Sequence, residues 1–95
     1  MADKQSLTQS SLDLIDFPNR FPLKVFVTKS KQFEVEVFDL VKARCPGDEV
    51  IEVTSRESKN GKYTALTLTF TAYSRRQLED IYQDLYNCEH VVMTL

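Results

Sequence analysis

The sequence predicts an α+β fold, a two-layer sandwich in which two helices cover one face of a four-stranded antiparallel sheet, and three patterns lead there. The segments Phe21 to Thr28 and Tyr63 to Tyr73 alternate apolar and polar residues, the period of a strand with one buried face. Two longer segments, beginning near Ser30 and Ser74, repeat their apolar residues at helical spacing. Between two strand-like runs stands Asn60-Gly61, a pair that accepts the positive φ of a tight two-residue hairpin.

Met1 to Ser11 is polar and without apolar periodicity, so residues 1–11 are expected to form a disordered tail and residues 12–95 a single domain. Leu12, Leu14, Ile15 and Phe17 make a short apolar patch that Pro18 ends; it is too short for an independent helix and is expected to dock on the body. In the first strand Phe21, Leu23, Val25 and Val27 share one face, with Lys24, Phe26 and Thr28 on the other. The segment from Ser30 alternates at first, as Phe33, Val35 and Val37, yet Phe33, Val37, Leu40, Val41 and Arg44 follow the helical period. Its length up to the stop at Cys45-Pro46-Gly47 favours a helix, with Ser30 as N-cap and Pro46-Gly47 at the centre of a type II turn.

Val50, Ile51 and Val53 open a second strand that turns polar through Ser58. The third strand sets Leu66, Leu68, Phe70 and Ala72 against Tyr63, Ala65, Thr67, Thr69, Thr71 and Tyr73. Ser74-Arg75-Arg76-Gln77 has the Ser-x-x-Gln form of a capping box, and Leu78, Ile81, Tyr82 and Leu85 form the stripe of the helix it starts. In the last strand Val91, Met93 and Leu95 alternate with His90, Val92 and Thr94. The order βαββαβ is that of the ferredoxin-like fold, with spatial strand order 4-1-3-2.

Composition narrows the function. Fourteen acids against twelve bases give a net charge of −2, which provides no general attraction to a phosphate backbone or an anionic membrane surface. No apolar run reaches the length of a membrane span and the start lacks a secretory pattern, so a cytoplasmic protein is expected. With only two glycines, Gly47 and Gly61, no Gly-rich phosphate-binding loop can be built, and no cofactor is expected. Cys45, Cys88 and His90 lack metal-site or redox spacing, and the carboxylates lack the spacing of a cation loop.

The residues offer two candidate enzyme constellations. Cys88, Glu89 and His90 offer a nucleophile, an orienting acid and a base, but neighbours on a strand point to opposite faces. Cys45 beside Arg44 offers a thiol of lowered pKa, although its place before Pro46-Gly47 reads more simply as a turn. RNA recognition uses the same topology and stacks bases on aromatic residues of the open sheet face, here Phe26 and Tyr63. The stretch Lys59 to Leu66 lacks the closely spaced aromatic pair of that motif, and nucleic acid is therefore disfavoured.

Leu12 through Phe17-Pro18, Phe21 with Lys24-Val25, the Pro46-Gly47-Asp48 turn, Ser58 to Tyr63, Gln77 with Ile81-Tyr82 and Leu85, and the final Val92-Met93-Thr94-Leu95 resemble the small uncharacterised bacterial proteins of the YbeD-like family. The resemblance spans nearly the whole chain after the tail. It implies a ferredoxin-like fold similar to the ACT domains that regulate metabolic enzymes by binding amino acids, and it implies no catalytic residues. ACT-type sites use a glycine-containing loop after the first strand, whereas Thr28-Lys29-Ser30-Lys31 has none.

The expectation is therefore a non-enzymatic regulatory or interaction module. Its candidate surface is the open sheet face, comprising Phe26, Tyr63, Thr67, Thr69, Tyr73, His90 and Val92, or an edge strand. Its partner would be another protein, a second copy of itself, or a small ligand.

Overall fold

The computed structural model describes residues 15–94. The tail expected over residues 1–11, together with Leu12 and Leu14, lies outside them. The elements are β1 (Asn19–Thr28), α1 (Lys31–Lys42), β2 (Glu52–Glu57), β3 (Tyr63–Ala72), α2 (Arg75–Tyr86) and β4 (Val91–Thr94). The sheet order is β2-β3-β1-β4, the expected order read from the other edge, and every pairing is antiparallel.

The two central strands pair over their whole length, from Asn19 opposite Ala72 to Thr28 opposite Tyr63. On one side of this ladder Leu23, Val25, Val27, Leu66, Leu68 and Phe70 are buried beneath the helices, joined by Val37 and Val41 of α1 and Leu78, Ile81, Tyr82 and Leu85 of α2. Ile15 and Phe17 pack against this same core. Ile15 and Phe17, the described part of the apolar patch, thus dock on the body as expected, and they do so against the helix-covered core.

Three local expectations are corrected. Gly61 alone among the described residues has positive φ, at 70°, so the hairpin is not a two-residue turn with positive φ at both Asn60 and Gly61. Instead Ser58 N–H donates to Tyr63 O, and Gly61 N–H donates back to Ser58 O. The Asn60 side-chain oxygen accepts from Lys62 N–H inside the resulting longer loop. After α1, Glu49 N–H donates to Pro46 O. Pro46 therefore opens that turn, and Gly47 does not need the positive φ of a type II centre. In β4, Val27 pairs with Val91 but Phe26 pairs with Met93, so Val92 is the extra residue of a bulge. The bulge breaks the expected alternation: Val91 and Thr94 are buried, while Val92 and Met93 are both exposed.

The helix starts differ in chemistry. Ser74 Oγ accepts from Gln77 N–H at 3.1 Å, while Gln77 Oε1 accepts from Tyr73 N–H at 2.7 Å. That is the capping box, with its return bond reaching one residue further back than the N-cap itself. Ser30 caps α1 by position only, since its side chain makes no capping hydrogen bond. Ser74→Ala is accordingly expected to cost about 1 kcal/mol and Ser30→Ala at most a few tenths, as read from denaturant midpoints.

Tyr82 is 1 % exposed, and its hydroxyl finds no hydrogen-bond partner among the described residues. Burial pushes its pKa up, because the phenolate would lose its hydration there. A buried hydroxyl without a partner costs stability. Tyr82→Phe is expected to raise the melting temperature by a few degrees, corresponding to about 1 kcal/mol; a lower melting temperature would show that the hydroxyl is bonded.

Candidate functional site

The face of the sheet opposite the helices carries the alternate residues of each strand, and the ladder arranges them in rows. Phe26 lies opposite Met93 on one side and Ala65 on the other, and Ala65 opposite Arg56, so one row crosses the whole sheet. The next rows are Lys24, Thr67 and Thr54, then Pro22, Thr69 and Glu52. Tyr63 stands opposite Thr28 and is therefore a diagonal neighbour of Phe26 on this face. The twist of the sheet leaves a shallow concavity of about 440 Å³, lined among others by Lys24, Phe26, Thr54, Arg56, Ala65 and Thr67.

The candidate residues from the sequence are only partly brought together. Phe26, Tyr63, Thr67 and Thr69 share the open face, with Phe26 and the two threonines half-buried and Tyr63 exposed. Tyr73 is exposed one residue past the end of β3, where its amide is taken by Gln77. Val92 sits in the bulge, and Met93 takes the place opposite Phe26 that alternation had given to another residue.

His90 is not on the open face. Its carbonyl accepts from Thr28 N–H, and its ring stacks on Phe33 of α1 with centroids 3.6 Å apart and planes 10° from parallel. The aromatic contact draws it toward the helix layer, where it borders a groove with Phe33, Val35 and Leu40.

Of the residues in the two enzyme constellations, the structure brings Glu89 near His90 and turns Arg44 toward α2. Glu89 is 87 % exposed and its carboxylate lies 3.7 Å from His90 Nε2. Cys88 is half-buried and packs against the core. Arg44, the expected activator of Cys45, turns to α2: its Nε donates to Asp84 Oδ2 at 2.8 Å and its Nη2 to Asp84 Oδ1 at 3.1 Å. Burial, aided by nearby Glu49, pushes the Cys45 thiol above its ordinary pKa, and neither Gln77, which donates to the sulfur at 3.7 Å, nor Lys42 reverses this. Among the described residues no group of three or more His, Cys, Asp or Glu side chains could hold a metal ion.

One structural carboxylate was not visible in the sequence. Glu49 has a side chain only 7 % exposed, and its Oε2 accepts from Thr71 N–H at 2.9 Å and from Arg20 Nη1 at 3.1 Å. β2 ends its pairing at Glu52 opposite Thr69, so the outward amide of Thr71 has no strand beside it. Glu49 stands in for that missing strand. No helix among the described residues is long and apolar enough to cross a membrane.

The geometry therefore defines a ferredoxin-like βαββαβ domain with one helix-covered and one open sheet face. Residues 13–95 match the family described as "Protein of unknown function (DUF493)", and the chain belongs to that family. A UPF0250 protein of Chromobacterium violaceum is 37 % identical over 94 % of this chain and all of its own length. The UPF0250 protein of Nitrosomonas europaea is 36 % identical over the same shares. The solution structure of protein HP0495 from H. pylori, 18 % identical, superposes with a TM-score of 0.70 over 85 % of each chain, a likeness of fold.

Cys45 is expected to be unreactive. In a Cys88→Ser background its rate of reaction with a thiol reagent near neutral pH should be at least roughly threefold below that of a free cysteine, and should rise only at higher pH. Fast labelling with an apparent pKa below that of free cysteine would overturn this.

Proposed function

We propose that this chain is a non-enzymatic interaction module whose working surface is the open sheet face. The observation that carries this reading is the row Met93, Phe26 and Ala65, left uncovered among the described residues, with Tyr63 beside it. Met93 and Tyr63 remain 37 % and 38 % exposed, while Ile15 and Phe17 pack on the opposite, helix-covered core. A purely solvated sheet face has no need of two aromatic side chains and a methionine in adjoining positions, and adjoining exposed apolar side chains mark interaction sites.

Lys24, at the rim of the same concavity, has no carboxylate partner among the described residues. The partner that fits is a protein segment with an apolar side chain for the Phe26 row and an acidic group for Lys24. The face differs from an RNA platform, since threonines fill most of the open side of β3 and the net charge is negative.

Affinity capture from an extract of the source cells, with the wild type beside Phe26→Ala/Tyr63→Ala, tests this reading. The expected result is a protein retained by the wild type and at least roughly tenfold depleted with the variant, as loss of central aromatic anchors should produce. Identical retention by both chains would refute it, as would tight, salt-sensitive binding of single-stranded RNA that the variant loses.

A further inference from the structure

The two sheet edges are unequal. β4 is short and bulged at Val92, a poor template for another strand. β2 runs over six residues without a bulge, and all six are exposed. Its backbone polarity follows from the hairpin: Ser58 N–H donates to Tyr63 O, so by the antiparallel alternation Glu52, Thr54 and Arg56 direct their amides and carbonyls at β3. Those of Val53, Ser55 and Glu57 point away from the sheet.

From this geometry we infer that β2 pairs with β2 of a second copy, antiparallel about a two-fold axis at Thr54. A two-fold contact is isologous, so the strand has to complement its own reverse. A register centred between two residues sets outward groups against inward ones and forms no ladder. A register centred on Ser55 sets Glu52 against Ser58 and Thr54 against Arg56, and one centred on Val53 sets Glu52 against Thr54. The register centred on Thr54 alone places Glu52 opposite Arg56 of the second copy, twice by symmetry. It also lets Val53 exchange both backbone hydrogen bonds with Ser55 of the second copy.

The Glu52 and Arg56 pairs then fall at non-hydrogen-bonded positions, where facing side chains approach most closely. Both residues lie on the open face, so the pairs form on one side of the joined sheet.

The charges of the single chain agree with this register. Arg20, Arg44, Arg75 and Arg76 each have a carboxylate within 4.0 Å, at Glu49, Asp84, Glu79 and Asp80 respectively. Arg56 is the arginine among the described residues with none. Glu52 keeps 71 % of its side chain exposed and has only a 3.7 Å contact with Arg20. Val53, 44 % exposed on the helix side of the strand, gains cover in the same contact. The joined sheet places the open faces of both copies side by side, and the contact does not depend on what those faces bind.

Sedimentation equilibrium of the full chain from about ten micromolar to about one millimolar tests the inference. The contact is of small area, so a dissociation constant on the order of 100 µM is expected. Arg56→Glu and Glu52→Arg should each weaken association at least about tenfold by setting like charges opposite each other, and the double exchange in one chain should restore it. Ser55→Pro removes an outward amide without touching the β3 ladder and should abolish association, while circular dichroism remains that of the folded wild type. Phe26→Ala should leave association unchanged, which separates this contact from the open-face reading. A wild type that stays monomeric at about one millimolar overturns the inference, as does a dimer that survives Arg56→Glu and Ser55→Pro or one that the double exchange fails to restore.

Discussion

β1 and β3 pair without interruption from Asn19 opposite Ala72 to Thr28 opposite Tyr63, and the rest of the molecule is built around that register. Side chains alternate with period two, so a slip of β1 by one residue against β3 would turn Leu23, Val25 and Val27 out to solvent and bring Lys24 and Phe26 into the core. The helices then have a single place to go. Val37 and Val41 of α1, with Leu78, Ile81 and Leu85 of α2, close over the apolar side and are themselves buried. The same constraint creates the open face, since each residue that the core rejects is delivered to the opposite surface in fixed rows.

The flanking strands finish the sheet by different means. Beyond the end of β2, the Glu49 carboxylate takes the Thr71 amide and the Arg20 guanidinium, so the central ladder is terminated by a side chain instead of a strand. At the other edge, β4 accommodates one residue too many through the Val92 bulge, which brings Met93 opposite Phe26 and discourages a further strand. The consequence is asymmetry: one edge is bulged, and the other, β2, is regular in its pairing, exposed, and carries Glu52 and Arg56 two residues either side of Thr54.

The helix layer is held by polar contacts as well as by its stripe. Arg44 leaves the end of α1 to make a two-pronged contact with Asp84 of α2, tying the two helices together across the surface of the layer. His90 stacks on Phe33 and fastens the start of β4 to the start of α1. These contacts take the two side chains most suggestive of chemistry, the arginine beside Cys45 and the single histidine, and give them structural neighbours.

Alternation and helical spacing are local properties, and they sufficed for the order of elements, the two helices, the core faces of β1 and β3, and the positions of Phe26, Tyr63, Thr67 and Thr69. The Ser74 cap was legible for the same reason, because its partner Gln77 is one turn away. The β4 bulge was not, since Val-Val-Met-Thr alternates acceptably by itself and only the register against β1 decides which residue is extra. The stacking of His90 on Phe33, the turning of Arg44 toward Asp84 and the burial of Glu49 join residues far apart in the chain. Nothing in a local window encodes them, and only the packed tertiary structure, by bringing distant segments within contact distance, determined where those side chains went.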